Sequence, residues 1–245
     1  RTAGDPLMNA SVTAAEFMRL WEATDLDRMP YPLQSRSGST THDAHPAHAL
    51  GPELPEWIEA LRYPDLSVTV YAPGSAESPV IRRRGCVRGD LAVLAEQLSD
   101  GARSGDIRIC TSSGGESRNL AGLALGLVGD LRECAAGTVG TLTAHPDDVE
   151  LGNSRSHSVL RSAVPSRADR IRCLLGRPRS GIGYVCVRGP RSGLDEPLID
   201  EFTWIDVSGD GRYLHRVDHF VHLRPVSPVQ IYEELLRRLR AVVAR

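Results

Sequence analysis

The C-terminal stretch from Phe202 to Arg240 constrains the fold more than any other part of the chain. Its apolar run, Phe202-Thr203-Trp204-Ile205-Asp206-Val207, stops at Ser208-Gly209-Asp210-Gly211. Glycines beside an aspartate supply the positive φ angles that a tight hairpin requires. A second run follows from Arg212 to Asp218. A third, His219 to Arg224, is carried by Phe220, Val221 and Leu223, and Pro225 ends the strand pattern. Ser227-Pro228-Val229-Gln230 then has the form of a capping box with proline at the first helical position. Ile231, Leu235, Leu239 and Val242 continue at helical spacing. The predicted unit is strand, hairpin, strand, strand, amphipathic helix.

The first half of the chain carries the same order of signals. Strands are predicted over Val80 to Val87, Leu91 to Leu98 and Asp106 to Thr111, with Gly89-Asp90 as a turn. A helix follows over Asn119 to Leu131, with Leu120, Leu123, Leu127, Val128 and Leu131 on one face. The lead-in segments match too. Trp57, Ile58 and Leu61 end a helix before Tyr63-Pro64-Asp65 and a strand from Leu66 to Tyr71. Ile171, Leu174 and Leu175 end one before Arg177-Pro178-Arg179 and a strand from Gly181 to Val187. Pro64 and Pro178 lie 114 positions apart, as do Ile107 and Val221 in the last strands. A shared offset at two distant places favours a duplicated unit over two unrelated stretches of similar size. The expectation is one domain over residues 12–245, built from halves at about 12–136 and 137–245, with residues 1–11 disordered.

The 245 residues carry a formal net charge of −2, so no strong general field draws the chain to nucleic acid or to a membrane surface. Every basic side chain is arginine; lysine is absent. The five cysteines (Cys86, Cys110, Cys134, Cys173 and Cys186) form no CxxC pair, and three fall within predicted strands. Buried thiols in a reducing cytoplasm are the expected state. No apolar run is long enough to span a bilayer and no signal peptide is visible; Arg1 in place of methionine points to a processed N-terminus.

Thr13-Ala14-Ala15-Glu16 is a capping box for a helix with Phe17, Leu20 and Trp21 on its apolar face. Residues 34–52 and 152–165 are polar and read as mobile loops. Pro73 to Pro79, between two strands, is longer than a tight turn needs and so projects. Signals of chemistry are sparse. His42, His45 and His48 are separated by Pro46 and lack acidic or cysteine companions, so no metal is expected. Ser112-Ser113-Gly114-Gly115 could cradle an anion, but a phosphate loop needs a lysine, and no cofactor is expected. Asp147, Asp148 and Glu150 lack the ligand spacing of a calcium loop. Arg82-Arg83-Arg84 reads as the solvent side of a strand. No nucleophile elbow or nucleophilic cysteine motif occurs, which favours a binding protein over an enzyme.

The same residues resemble the EspG family, the cytoplasmic chaperones of mycobacterial-type type VII secretion. The resemblance runs through Phe17 to Trp21, Pro30-Tyr31-Pro32-Leu33, Trp57 to Tyr71 ("WIEALRYPDLSVTVY") and Leu174 to Val187 ("LLGRPRSGIGYVCV"). It continues through Asp206 with Gly211-Arg212-Tyr213-Leu214, then Pro225 and the helix to Leu239, covering roughly residues 12–242. It implies an α/β (α+β) fold in which a pseudo-two-fold duplicated unit forms a central, mainly antiparallel sheet flanked by helices. It also implies a non-enzymatic cytoplasmic chaperone that binds a PE–PPE heterodimer at the hydrophobic tip of the PPE helical bundle and passes it to the secretion ATPase machinery.

Covering an exposed apolar tip removes an aggregation hazard at about 25 cal/mol per Å². By strand alternation Ile182 and Tyr184 face away from Val185 and Val187, which are assigned to the core. Tyr184, Ile182, Arg188 and Arg179 are therefore candidate contacts. The hairpin loop that the family uses supplies Pro73, Gly74, Ser75, Ala76, Glu77 and Ser78. Two other classes stay open at this point: a small-molecule hydrolase or ligand-binding domain, which needs a deep pocket with convergent polar groups, and a scaffolding homodimer.

Overall fold

A computed structural model describes residues 8–23, 28–34, 51–75, 78–100, 103–150, 164–193 and 195–244. The histidine trio, most of the two polar loops, and Ala76 and Glu77 lie outside the described residues.

The first half runs β1 (Met8–Val12), α1 (Ala14–Glu22), α2 (Leu54–Arg62), β2 (Leu66–Ala72), β3 (Ile81–Arg88), β4 (Leu91–Asp100), β5 (Arg103–Ser113) and α3 (Glu116–Val128). The second half runs β6 (Leu142–Ala144), α4 (Pro146–Glu150), α5 (Arg167–Leu175), β7 (Arg179–Arg188), β8 (Leu198–Val207), β9 (Gly211–Val217), β10 (Val221–Pro225) and α6 (Pro228–Val243). Among the described residues these strands form one sheet in the order β1-β5-β4-β3-β2-β7-β8-β9-β10-β6. Every pairing is antiparallel, including the central one, where Val68 faces Val187 and Tyr71 faces Tyr184. The order reads the same outward from the β2–β7 seam in both directions, so an approximate two-fold relates the halves.

Local chemistry fixes the element ends. The boxes at Thr13 and Ser227 form as the sequence predicts, each side chain accepting from the backbone N–H three residues on, and Ser166 with Asp169 makes a third. The corresponding hairpin turns of the halves both use a left-handed glycine, Gly89 at φ 55° and Gly209 at φ 71°. The expectation of disorder over residues 1–11 fails for residues 8–11, which belong to β1. Met8, Ala10 and Val12 alternate with Asn9 and Ser11, a strand-period pattern only five residues long; β5 offers an otherwise unpaired edge, and Met8 to Val12 pair with Thr111 to Ile107.

The two faces of the sheet are covered differently. On one, α3 and α6 lie side by side over the seam and bury Leu120, Leu123, Leu127, Ile231, Leu235 and Leu239 against Val68, Val70, Val185 and Val187. On the other, α1 and α2 cover β3, β4 and β5 at one flank, and α5 covers β8, β9 and β10 at the other. The middle of that second face lies between the two helical flanks.

Arg82-Arg83-Arg84 does not lie along a solvent face. Alternation sends Arg83 and Arg84 to opposite sides, and both are buried, at 5% and 4% exposure. Arg83 donates through Nε to Glu96 (2.8 Å) and through Nη1 to the Leu127 carbonyl (3.0 Å), one of the open carbonyls at the end of α3. No described helix is long and apolar enough to cross a membrane.

Candidate partner-binding surface

The middle of the second face is built from strand residues that point away from the α3–α6 core. From β2 these are Ser67, Thr69 and Tyr71; from β7 they are Tyr184, Cys186 and Arg188. Alternation makes this possible, since Val68, Val70, Val185 and Val187 occupy the opposite side at 0% exposure.

Three tyrosines converge there. Tyr71 and Tyr184 are direct cross-strand neighbours. Tyr31, in the segment after α1, sets its ring 5.9 Å from that of Tyr71 at 56°. Tyr31 and Tyr184 remain 58% and 43% exposed. Burial, followed by the neighbouring Tyr71, Cys186 and Tyr184, raises the Tyr31 phenol above its ordinary value and favours its neutral form. Beyond Tyr184 the patch continues into a hollow of about 250 Å³ bordered by Cys186, Thr203, His215 and Val217. Burial, and secondarily Arg179, lowers the His215 pKa and favours a neutral ring. The hollow is also bordered by Glu201 and Arg216, so the patch is an aromatic surface edged by charged groups that side chains of another polypeptide can pack against.

Of the residues predicted from sequence, Tyr184 and Arg188 lie in this middle region. Ile182 is partly buried against the α5 cluster. Arg179 lies at the far end of β7, where its Nη2 donates to the Leu175 carbonyl of α5 at 2.7 Å. The loop residues Pro73, Gly74, Ser75 and Ser78 leave the end of β2, closed by a Ser75 N–H bond to the Ser78 carbonyl of 2.8 Å. Pro73 and Ser78 border a separate hollow of about 210 Å³ that also touches Arg83, Trp204 and Arg212. The loop and the tyrosines thus border different hollows.

Sequence reasoning did not single out Tyr31, Tyr71, Arg84 or Glu196 as site residues. The signal for Tyr71 was present, because Ser67, Thr69 and Tyr71 alternate with Leu66, Val68 and Val70. Glu196 carried no local signal. It reaches across the seam from the β7–β8 connection to pair with Arg84, at 2.7 and 2.8 Å from Arg84 Nη2, and accepts from Ser67 Oγ at 2.7 Å.

The Asp206 and Gly211-Arg212-Tyr213 motif is structural. Arg212 binds Asp206 with two parallel bonds of 2.6 and 2.9 Å across the β8–β9 hairpin, both side chains being buried. Tyr213 Oη donates to Asp210 at 3.0 Å and accepts from the Val139 N–H at 3.0 Å, tying the inter-half segment to the hairpin.

Burial raises the thiols of Cys110, Cys134 and Cys186, and pushes that of Cys86 up to about 12, which disfavours a thiolate nucleophile at any of them. Among the described residues no group of three or more His, Cys, Asp or Glu side chains is arranged to hold a metal ion.

No curated protein matches this sequence. Among solved structures, the Mycobacterium tuberculosis type VII secretion system chaperone EspG5, solved in complex with a PE25–PPE41 dimer, is similar at a TM-score of 0.62. The similarity covers 93% of this chain and 94% of that one, at 15% identity, and extends to the fold alone. The crystal structure of HtdX of Mycobacterium tuberculosis, at 10% identity and a TM-score of 0.17 over 89% of this chain and 100% of that one, carries no argument. A model described as the EspG family matches residues 44–236, most of the sequence. With its helix-flanked antiparallel sheet, this chain belongs to the EspG family.

Proposed function

We propose that this chain is a non-enzymatic cytoplasmic chaperone of type VII secretion, which holds a PE–PPE-type heterodimer by the apolar tip of its PPE helical bundle. The supporting observation is the tyrosine cluster, Tyr31, Tyr71 and Tyr184, on the side of the sheet that α3 and α6 leave free, in a member of the EspG family. Aromatic rings exposed in one patch between two helical flanks suit a site that shields another chain's apolar end. The tip packs on the tyrosines and the hollow beside Tyr184. Arg188 and Arg179 form a polar rim with Ile182 at its margin, and the loop from Pro73 to Ser78 contributes a second contact at the end of the sheet. The held pair then passes to the secretion ATPase machinery.

The same reading makes the body one duplicated domain whose halves divide near residues 136 and 137. The repeated order of helix, four strands and helix on each side of the seam supports it.

Co-expression with the PE–PPE pairs of its own genome tests the function. A soluble complex of this chain with one pair, coeluting in size exclusion, is the expected result. Pairs that stay insoluble and unbound in its presence overturn it. Light scattering of the free chain at the mass of two copies would favour the scaffolding homodimer.

A further inference from the structure

Next to the tyrosines, at the seam between the halves, lies a hollow of about 610 Å³. Four guanidinium groups, Arg28, Arg84, Arg188 and Arg191, line it against the two carboxylates of Asp195 and Glu196. Its remaining wall is mostly apolar, with Trp21, Met29, Pro30 and Tyr31 beside Thr69. We propose that this hollow receives an acidic side chain of the partner protein, its carboxylate held by Arg28 and Arg188, and so selects which apolar tip the chaperone accepts.

The charge balance carries the inference. Glu196 is fully engaged: Arg84 Nη2 contacts both of its oxygens, Ser67 Oγ donates to Oε2, and Arg191 Nη2 makes a short contact with Oε1. One carboxylate thus serves two buried arginines. Among the described residues Arg188 donates to one acceptor, the main-chain oxygen of Glu196, at 2.9 Å. Among the described residues neither Arg28 nor Arg188 has a carboxylate at ion-pair distance. The Nε of Arg84 is also buried without an acceptor, although Arg84 itself is only 4% exposed. Four arginines face two carboxylates, Asp195 and Glu196, so the hollow keeps an excess of two positive charges; with Arg28 exposed and the Arg84 Nε a spare buried donor, it is suited to an anion.

The apolar wall narrows the class of anion. Tyr31 belongs both to this wall and to the tyrosine cluster, so a ligand filling both must present a carboxylate within a side chain or two of an apolar group. An acidic residue beside the apolar tip of a helical bundle meets that description. Arginine is suited to the task, because its planar fork engages a carboxylate with two bonds where a lysine would make a point contact.

This inference rests on the chaperone reading, and the experiment separates the two. The chain and an Arg28→Ala/Arg188→Ala variant are each titrated with the purified PE–PPE pair at low and high salt, and separately with citrate by calorimetry. The expected result is binding of the pair roughly tenfold weaker in the variant, with a shallower salt dependence. Citrate should bind the wild-type chain saturably and the variant not at all. A variant that binds the pair as the wild type does, with the same salt dependence, overturns the inference and leaves the chaperone reading intact. If no pair binds the wild-type chain, the chaperone reading fails, and with it the acidic partner. Citrate binding that the variant loses would then preserve the anion site alone, and absence of citrate binding would remove that as well.

Discussion

The two sides of the sheet are made from the same strands and do opposite things. Beneath α3 and α6, Val68, Val70, Val185 and Val187 are sealed at 0% exposure in a continuous apolar layer. One residue along each strand, the other side presents Thr69, Tyr71, Tyr184 and Arg188, with polar and aromatic groups in place of β-branched aliphatics. Strand period is two, so a single sequence can write a core and a recognition surface in alternate letters. The closed side supplies stability, and the half-open side is free to carry specificity.

That contrast predicts a graded set of outcomes. On the closed side, Leu127→Ala leaves a cavity between α3 and the sheet and should cost about 2–5 kcal/mol in denaturant unfolding. A loss under about 1 kcal/mol would mean the layer is less tightly packed than described. At the seam, Arg84→Ala removes one of the two arginines on Glu196, whose side chain is only 6% exposed, leaves it with Arg191 and Ser67, and should cost about 1.5–3 kcal/mol.

The same ion pair sets an acid dependence. Desolvation opposes ionisation of Glu196, but Arg84, Ser67 and Arg191 outweigh it and hold the carboxyl below its ordinary value of 4.5. The folded state therefore takes up this proton at lower pH than the unfolded chain does. The stabilisation is complete above the unfolded value and is lost as pH falls through the folded one. Glu196→Gln should be less stable at neutral pH and show a flatter decline in acid, read from thermal melts at successive pH values. On the open side, Tyr184→Ser should change stability by no more than about 0.5 kcal/mol, in the same denaturant assay, while still weakening partner binding.

Much of the closed side was legible in sequence. Leu120, Leu123 and Leu127 on α3 and Ile231, Leu235 and Leu239 on α6 follow helical period, and Val185 with Val187 follows strand period. The capping boxes at Thr13 and Ser227 and the turn glycines Gly89 and Gly209 fixed where elements begin and reverse. The open side was legible only where alternation alone decides, as at Tyr184. Arg84 could not be placed, because its partner Glu196 lies 112 residues away and only the meeting of the halves joins them. Three consecutive arginines look alike in sequence, yet alternation sends Arg83 and Arg84 to opposite faces, where carboxylates on different elements, Glu96 and Glu196, receive them. β1 was missed because its alternation of Met8, Ala10 and Val12 with Asn9 and Ser11 spans only five residues, and its edge position is specified by the strand it joins.

The central claim is that the partner docks on the side α3 and α6 leave free. It is tested by comparing two double variants for affinity toward the PE–PPE pair. One is Tyr31→Ser/Tyr184→Ser; the other is Leu125→Ser/Val229→Ser, which alters residues 59% and 64% exposed on α3 and α6. The account predicts a loss of about 2 kcal/mol or more for the tyrosine pair and almost none for the helix pair; undiminished binding by the tyrosine variant, with loss in the helix variant, would contradict it.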